Sequence, residues 1–137
     1  MRGGRVDPQR LREALGAVAA WLDRAGPPPP RDELAQAVRL SLRALAQAAP
    51  GASVEVRVPP FAAVQCLPGP RHTRGTPANV VQTDPRTWLA LVTGRTSWGA
   101  AIAAGRLTAS GSRADLSHLL PLLDQPHQAA PPPPTGG

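Results

Sequence analysis

The stretch from Thr83 to Leu123 reads TDPRTWLALVTGRTSWGAAIAAGRLTASGSRADLSHLLPLL, and its punctuation divides it into four elements. Asp84 followed by Pro85 is a helix start, with the carboxylate as cap and proline at the first helical position. Trp88, Leu89, Leu91 and Val92 supply a buried side, and Gly94 closes the helix. Thr96 or Ser97 caps a second short helix carrying Trp98, Ala101 and Ile102, with Gly105 at its left-handed end. Leu107, Ala109 and Gly111 then alternate with Arg106, Thr108 and Ser110, the pattern of a strand. Ser112 is read as the cap of a closing helix that holds Leu116, Leu119 and Leu120. Asp115 falls where a capping-box acid sits, and Pro121 ends the regular part.

Upstream of this stretch the period also alternates. Val54, Val56 and Val58 are separated by Glu55 and Arg57, which predicts a half-buried strand. Pro59–Pro60 ends it, and FAAVQCL (Phe61–Leu67) predicts a second, with Ala62, Val64 and Cys66 on one face and Phe61, Ala63 and Gln65 on the other. A loop runs from Pro68 to Pro77, and Asn79, Val80 and Val81 form a short third strand.

Two helices precede the strands. The first begins at Asp7–Pro8, repeats Leu11, Leu15, Val18 and Leu22, and stops at Gly26 and Pro27–Pro30. The second runs from about Asp32 to Ala48, with a stripe of Leu34, Val38, Leu42 and Leu45 or Ala49; Arg39 and Arg43 face solvent, and Pro50–Gly51 ends it. The order is α-α-β-β-β-α-α-β-α. No βαβ repeat with a glycine-rich phosphate turn is present, so the class is α+β, a small mixed sheet covered by short helices.

The 137 residues leave room for one domain. Residues 1–7 are expected to be flexible, 8–123 to form the domain, and the proline-rich 124–137 to be disordered, since PHQAAPPPPTGG has too little apolar bulk to repay ordering. No signal peptide or membrane-length apolar run is visible, and a cytoplasmic location is expected. The single cysteine, Cys66, excludes an internal disulfide and a multi-cysteine zinc site.

The net charge is +6, and arginine supplies all fifteen basic residues. These charges are scattered over several elements, and with three tryptophans, one phenylalanine and no tyrosine the base-stacking surfaces of a nucleic-acid binder are missing. Stable membrane insertion is not expected either. GSRAD (Gly111–Asp115) is no nucleophile elbow, and Ser110 and Ser112 sit where strand exit and helix capping explain them. His72, His118 and His127 lack ligand spacing, so neither a metal nor a cofactor is expected.

Two features carry functional readings. Arg71, His72 and Arg74 in GPRHTRGTP are either a solvated basic loop or an anion and headgroup site, where guanidiniums hold a phosphate or carboxylate. The apolar residues of the late segment are either ordinary core or the wall of a cavity suited to a lipid-like ligand.

At Asp84, Leu91, Gly94, Ala103, Gly105, Leu107, Gly111 and Leu120 the late segment resembles the second half of the sterol carrier protein-2 family. SVEVRVPPFAAVQC and GPRHTRGTPANVVQTDP extend the likeness to small bacterial, mostly actinobacterial, sterol-carrier-family proteins, over about Pro8 to Leu123. The resemblance implies a sterol carrier protein-2-like (SCP2-like) fold, a sheet with helices packed on it that in several members encloses a tunnel for fatty acyl chains or sterols. It implies a non-enzymatic carrier of a fatty acyl or other lipid-like ligand. Val56, Phe61, Val64, Trp88, Val92, Trp98, Ile102, Leu116 and Leu120 are then candidates to line the pocket, and Arg71, His72 and Arg74 to hold a headgroup. Prolines at 59, 60, 68, 70 and 77 shorten the strand region, which favours a small or closed cavity. The alternative is a structural or protein-interaction module with a filled core.

Overall fold

The alternation at Val54–Val58 is realised as the strand β1, whose valines are buried while Glu55 and Arg57 are half-buried. The computed structural model describes residues 4–24, 26–69 and 79–122. Around β1 the chain builds a four-stranded sheet from β2 (Ala62–Cys66), β3 (Val80–Thr83) and β4 (Leu107–Ser110), in the order β2-β1-β3-β4. β1 runs parallel to β3, and the outer pairs β1–β2 and β3–β4 are antiparallel, so the sheet is mixed.

The register places like with like, because residues directly opposite each other share a face. Val56 lies opposite Val64 and Val81, Val54 opposite Cys66, and Thr83 opposite Leu107. These side chains form the inner face. Glu55, Gln65, Gln82, Thr108 and Ser110 form the other face, where Arg57 pairs with Glu55 at 2.7 Å.

α1 (Pro8–Asp23), α2 (Arg31–Ala48) and α3 (Pro85–Val92) share one core with the inner face, α1 packing against α2 and α3. The Asp7 carboxylate accepts from the Gln9 N–H, and the Asp84 carboxylate accepts from the Thr87 N–H, as the Asp–Pro pairs predict. α2 buries Ala35, Ala37, Val38, Leu40, Ser41, Leu42 and Leu45, a band wider than its leucine stripe. Ser41 is buried polar: its Oγ lies 2.7 Å from the Ala37 carbonyl and accepts from Trp88 Nε1 at 2.8 Å. That bond satisfies the one polar atom of the largest buried side chain and pins α3 to α2.

The C-terminal end of α1 is tied to α3 and the turn beyond it. Arg95 binds the Asp23 carboxylate with two bonds, at 2.6 and 2.9 Å. Arg86 donates to the Leu22 and Arg24 carbonyls at 3.4 and 3.3 Å, and its guanidinium lies 4.8 Å from the centre of the Trp21 ring. Near the N-terminus, Gln47 accepts from the Val6 N–H and donates to the Gly4 carbonyl. At the far end of the sheet, Asn79 donates to the Ser53 carbonyl and accepts from the Arg113 N–H, so it brackets β1 instead of starting β3.

Two local expectations are corrected. Phe61 lies outside β2, in the turn after β1, where its N–H donates to the Val58 carbonyl at 3.0 Å. Its ring sits beneath Arg31 of α2, 5.1 Å from the guanidinium, so it packs on the helical side and not on the outer face. The closing helix is reduced to a single 3₁₀ turn, Ser117–Leu119. Leu120 precedes Pro121 and is extended (φ −118, ψ 143), the conformation a following proline imposes, which stops propagation. Asp115, expected at the third helical position, instead accepts from the Ser117 N–H at 2.9 Å and makes a local turn.

Candidate functional site

Thr93, Gly94 and the residues that follow turn the chain from α3 into a six-residue helix, α4 (Trp98–Ala103), capped by Ser97, whose Oγ accepts from the Ala100 N–H at 3.1 Å. α4 has no charged residue and only Ala101 is buried, so it rests on the molecule through small side chains. The chain returns to β4 through Gly105 (φ 73), where the Arg106 N–H meets the Ala101 carbonyl and the Arg106 carbonyl accepts from Thr83 Oγ1 at 2.7 Å.

Because alanines cannot fill the angle between α3 and α4, a groove of about 750 Å³ remains there. α3 contributes Arg86, Thr87 and Ala90, α4 contributes Ala100, Ala101 and Ala104 at its end, and Arg106 forms part of the wall. The two guanidiniums differ. Arg86 is fixed by the carbonyls at the end of α1 and by Trp21. Arg106 is exposed and its guanidinium has no hydrogen bond or ion pair among the described residues. On the other side of Arg106, Gln82, Thr83, Asp84 and Thr108 line a more polar hollow of about 420 Å³. A third groove of about 440 Å³ lies at the opposite flank of α4, lined by Leu91, Trp98, Leu120 and the Gly94–Ser97 turn.

The nine residues expected to line a pocket fall into four environments. Val56, Trp88, Val92 and Leu116 are completely buried in the core cluster. Phe61 and Val64 are half-buried beside that cluster at the β2 edge, and neither lines the three grooves described above. Trp98 and Leu120 do come together, in the groove beside Leu91. Ile102 is 43% exposed on α4. Arg71, His72 and Arg74 lie outside the described residues.

The Arg86–Arg106 groove is a site that sequence reasoning missed. Its signal was present: Ala100 and Ala104 are one turn apart on a charge-free helix, with arginines following at 106 and preceding at 86.

Chemistry by side chains is not prominent here. Burial pushes the Cys66 thiol up to about 11, so it stays protonated and unreactive. Among the described residues no three histidine, cysteine or acidic side chains cluster as a metal site. None of the described helices is long and apolar enough to cross a membrane.

No curated protein matches the chain. A family model described as a bacterial SCP ortholog matches residues 30–122, from the start of α2 through every strand to the residue after Pro121. Together with four helices and a four-stranded mixed sheet, this places the chain in the bacterial SCP ortholog family, with an α+β, sterol carrier protein-2-like fold.

Proposed function

We propose that the protein is a non-enzymatic carrier of an anionic, lipid-like amphiphile, and that the ligand lies in the groove between α3 and α4. The observation that carries this reading is a groove floored by Ala90, Ala100, Ala101 and Ala104, with the Arg106 guanidinium, unpaired among the described residues, on its wall. Family membership supports a lipid-carrier role.

The physical case is direct. A volume of about 750 Å³ suits a single-chain ligand. Methyl side chains let an acyl chain approach the helix backbones, and each buried methylene contributes about 0.8 kcal/mol. A carboxylate or phosphate at the open end keeps contact with water, so the large cost of burying an unpaired charge is avoided. Arg106 swings to meet it with two parallel bonds, while Arg86 supplies a fixed positive field. An open groove also releases its ligand without unfolding.

The test is a titration with a fluorescent fatty acid and its uncharged alcohol. Arg106→Ala should weaken the acid by roughly tenfold to a hundredfold, the worth of a hydrogen bond to a charged group, and leave the alcohol unchanged. Ala104→Trp, on the exposed rim, should weaken both by filling the groove. An Arg71→Ala/Arg74→Ala double variant probes the other headgroup candidate: a loss confined to it moves the charged end to that loop. No saturable binding by the wild type ends the carrier reading and favours the interaction module with a filled core, which the completely buried Trp88, Val92 and Leu116 support.

A further inference from the structure

The outward face of α4 is the place where the molecule leaves apolar groups in water. Ile102 is the one large hydrophobic side chain among the described residues that counts as exposed. Trp98, one turn earlier on the same face, is half-buried, and Gly99, Ala100 and Ala103 around them are exposed. Along this stretch of the sequence the charge is of one sign. Between Asp84 and Asp115 the chain has Arg86, Arg95, Arg106 and Arg113 and no acidic residue. Arg86 and Arg106 lie at the end of α4 near Ala104. Arg95, at the Trp98 end, is matched by Asp23.

We propose that α4 is a membrane-docking tip: Trp98 and Ile102 enter the headgroup layer of an anionic bilayer while the exposed Arg106 engages its phosphates and Arg86, held in place, adds to the positive field. The apolar area, one isoleucine, part of one tryptophan and a few alanines, is far below the roughly 800 Å² per partner of a stable protein interface. It is, however, enough for shallow peripheral contact, where tryptophan prefers the water–lipid boundary. Arginines beside it add attraction to a negatively charged leaflet, an attraction that salt screens. This inference stands on the exposed face and its charge, independently of what the neighbouring groove holds.

The experiment is flotation of the full chain with phosphatidylcholine vesicles, with and without phosphatidylglycerol. Wild type should bind only the anionic vesicles, and added salt should release it. Ile102→Glu should weaken that binding by roughly tenfold or more, while Arg39→Gln on the exposed side of α2, an equal change in net charge, should have a much smaller effect. Brominated lipid should quench the emission of Trp21→Phe protein and fail to quench Trp98→Phe. Equal loss in both charge variants would show attraction by net charge alone and overturn the proposal. So would undiminished vesicle binding by Ile102→Glu, or a wild-type dimer that Ile102→Glu converts to monomer while vesicle binding is kept.

Discussion

α3 and α4 are consecutive helices of similar make. Each starts on a side-chain cap, Asp84 or Ser97, and each carries a tryptophan and a run of apolar residues. α3 buries Thr87, Trp88, Leu89, Leu91 and Val92, because it crosses the inner face of the sheet and meets α2 at the Ser41–Trp88 bond. α4 buries Ala101 alone and lies at the rim, bordered by grooves on both flanks. The difference teaches that apolar composition sets how much burial a helix offers, whereas its place over the sheet sets how much it receives. Where the offer is not taken up, apolar surface stays available for a ligand or a lipid surface.

The largest expected effect would break this comparison outright. Trp88→Ala should cost about 3–5 kcal/mol, through lost burial and the cavity left behind, while Ile102→Ala should stay within about 0.5 kcal/mol. Urea unfolding followed by circular dichroism reads both. Comparable losses would mean that α4 is as much a part of the core as α3.

A smaller effect sharpens the comparison at the caps. The Asp84 carboxylate accepts from the Thr87 N–H at 2.8 Å and from the Thr87 hydroxyl at 2.9 Å, and Thr87 is buried. Asp84→Ala therefore leaves a buried hydroxyl without its acceptor and should cost about 1–2 kcal/mol, against about 0.5–1 kcal/mol for Ser97→Ala at the exposed start of α4. The same unfolding curves decide it, and a reversed order would contradict the placement of the two helices.

The smallest effect concerns the exposed clamp on α1. The bonds from Arg95 hold the Asp23 carboxyl below the usual aspartate value. A carboxylate with a lowered folded pKa stabilises the fold above its unfolded value of about 3.9, and that contribution is lost as pH falls through the lower folded value. Asp23→Asn should thus lower Tm slightly at neutral pH and flatten the decline of Tm below about pH 4. Superimposable Tm profiles would reduce the pair to a surface contact without energetic consequence. Part of the acid decline survives in the variant, because Asp115 is likewise lowered by its bonds from Ser117.

Much of the architecture was legible because it is written in local chemistry. Asp7–Pro8 and Asp84–Pro85 announce helix starts through an acceptor and a fixed φ, and Val54–Val58 announces a strand through its period of two. The last helix was misread because Ser112, Asp115 and three leucines satisfy a helical template, while the residue before Pro121 is held extended and no length remains to propagate a helix. Trp98 and Leu120, two of the nine candidates for a pocket wall, border the groove beside Leu91. The Arg86–Arg106 groove was not seen, since its parts come from two helices and a strand entry twenty residues apart in sequence.

The sequence by itself determined the succession of elements as far as β4, the faces of β1 and β2, the caps of α1, α3 and α4, the family likeness and the positive, lysine-free charge. Those properties depend on neighbours within a turn or two along the chain, where sterics and hydrogen bonding act without knowledge of the rest. Only the tertiary structure decided that β1 pairs with β3 in parallel, that Ser41 serves the Trp88 indole, that Arg86 is occupied while Arg106 has no partner among the described residues, and that Ile102 faces water. Burial and pairing of that kind arise from which distant surfaces meet, and a list of apolar positions carries no information on how many of them the sheet has room to cover.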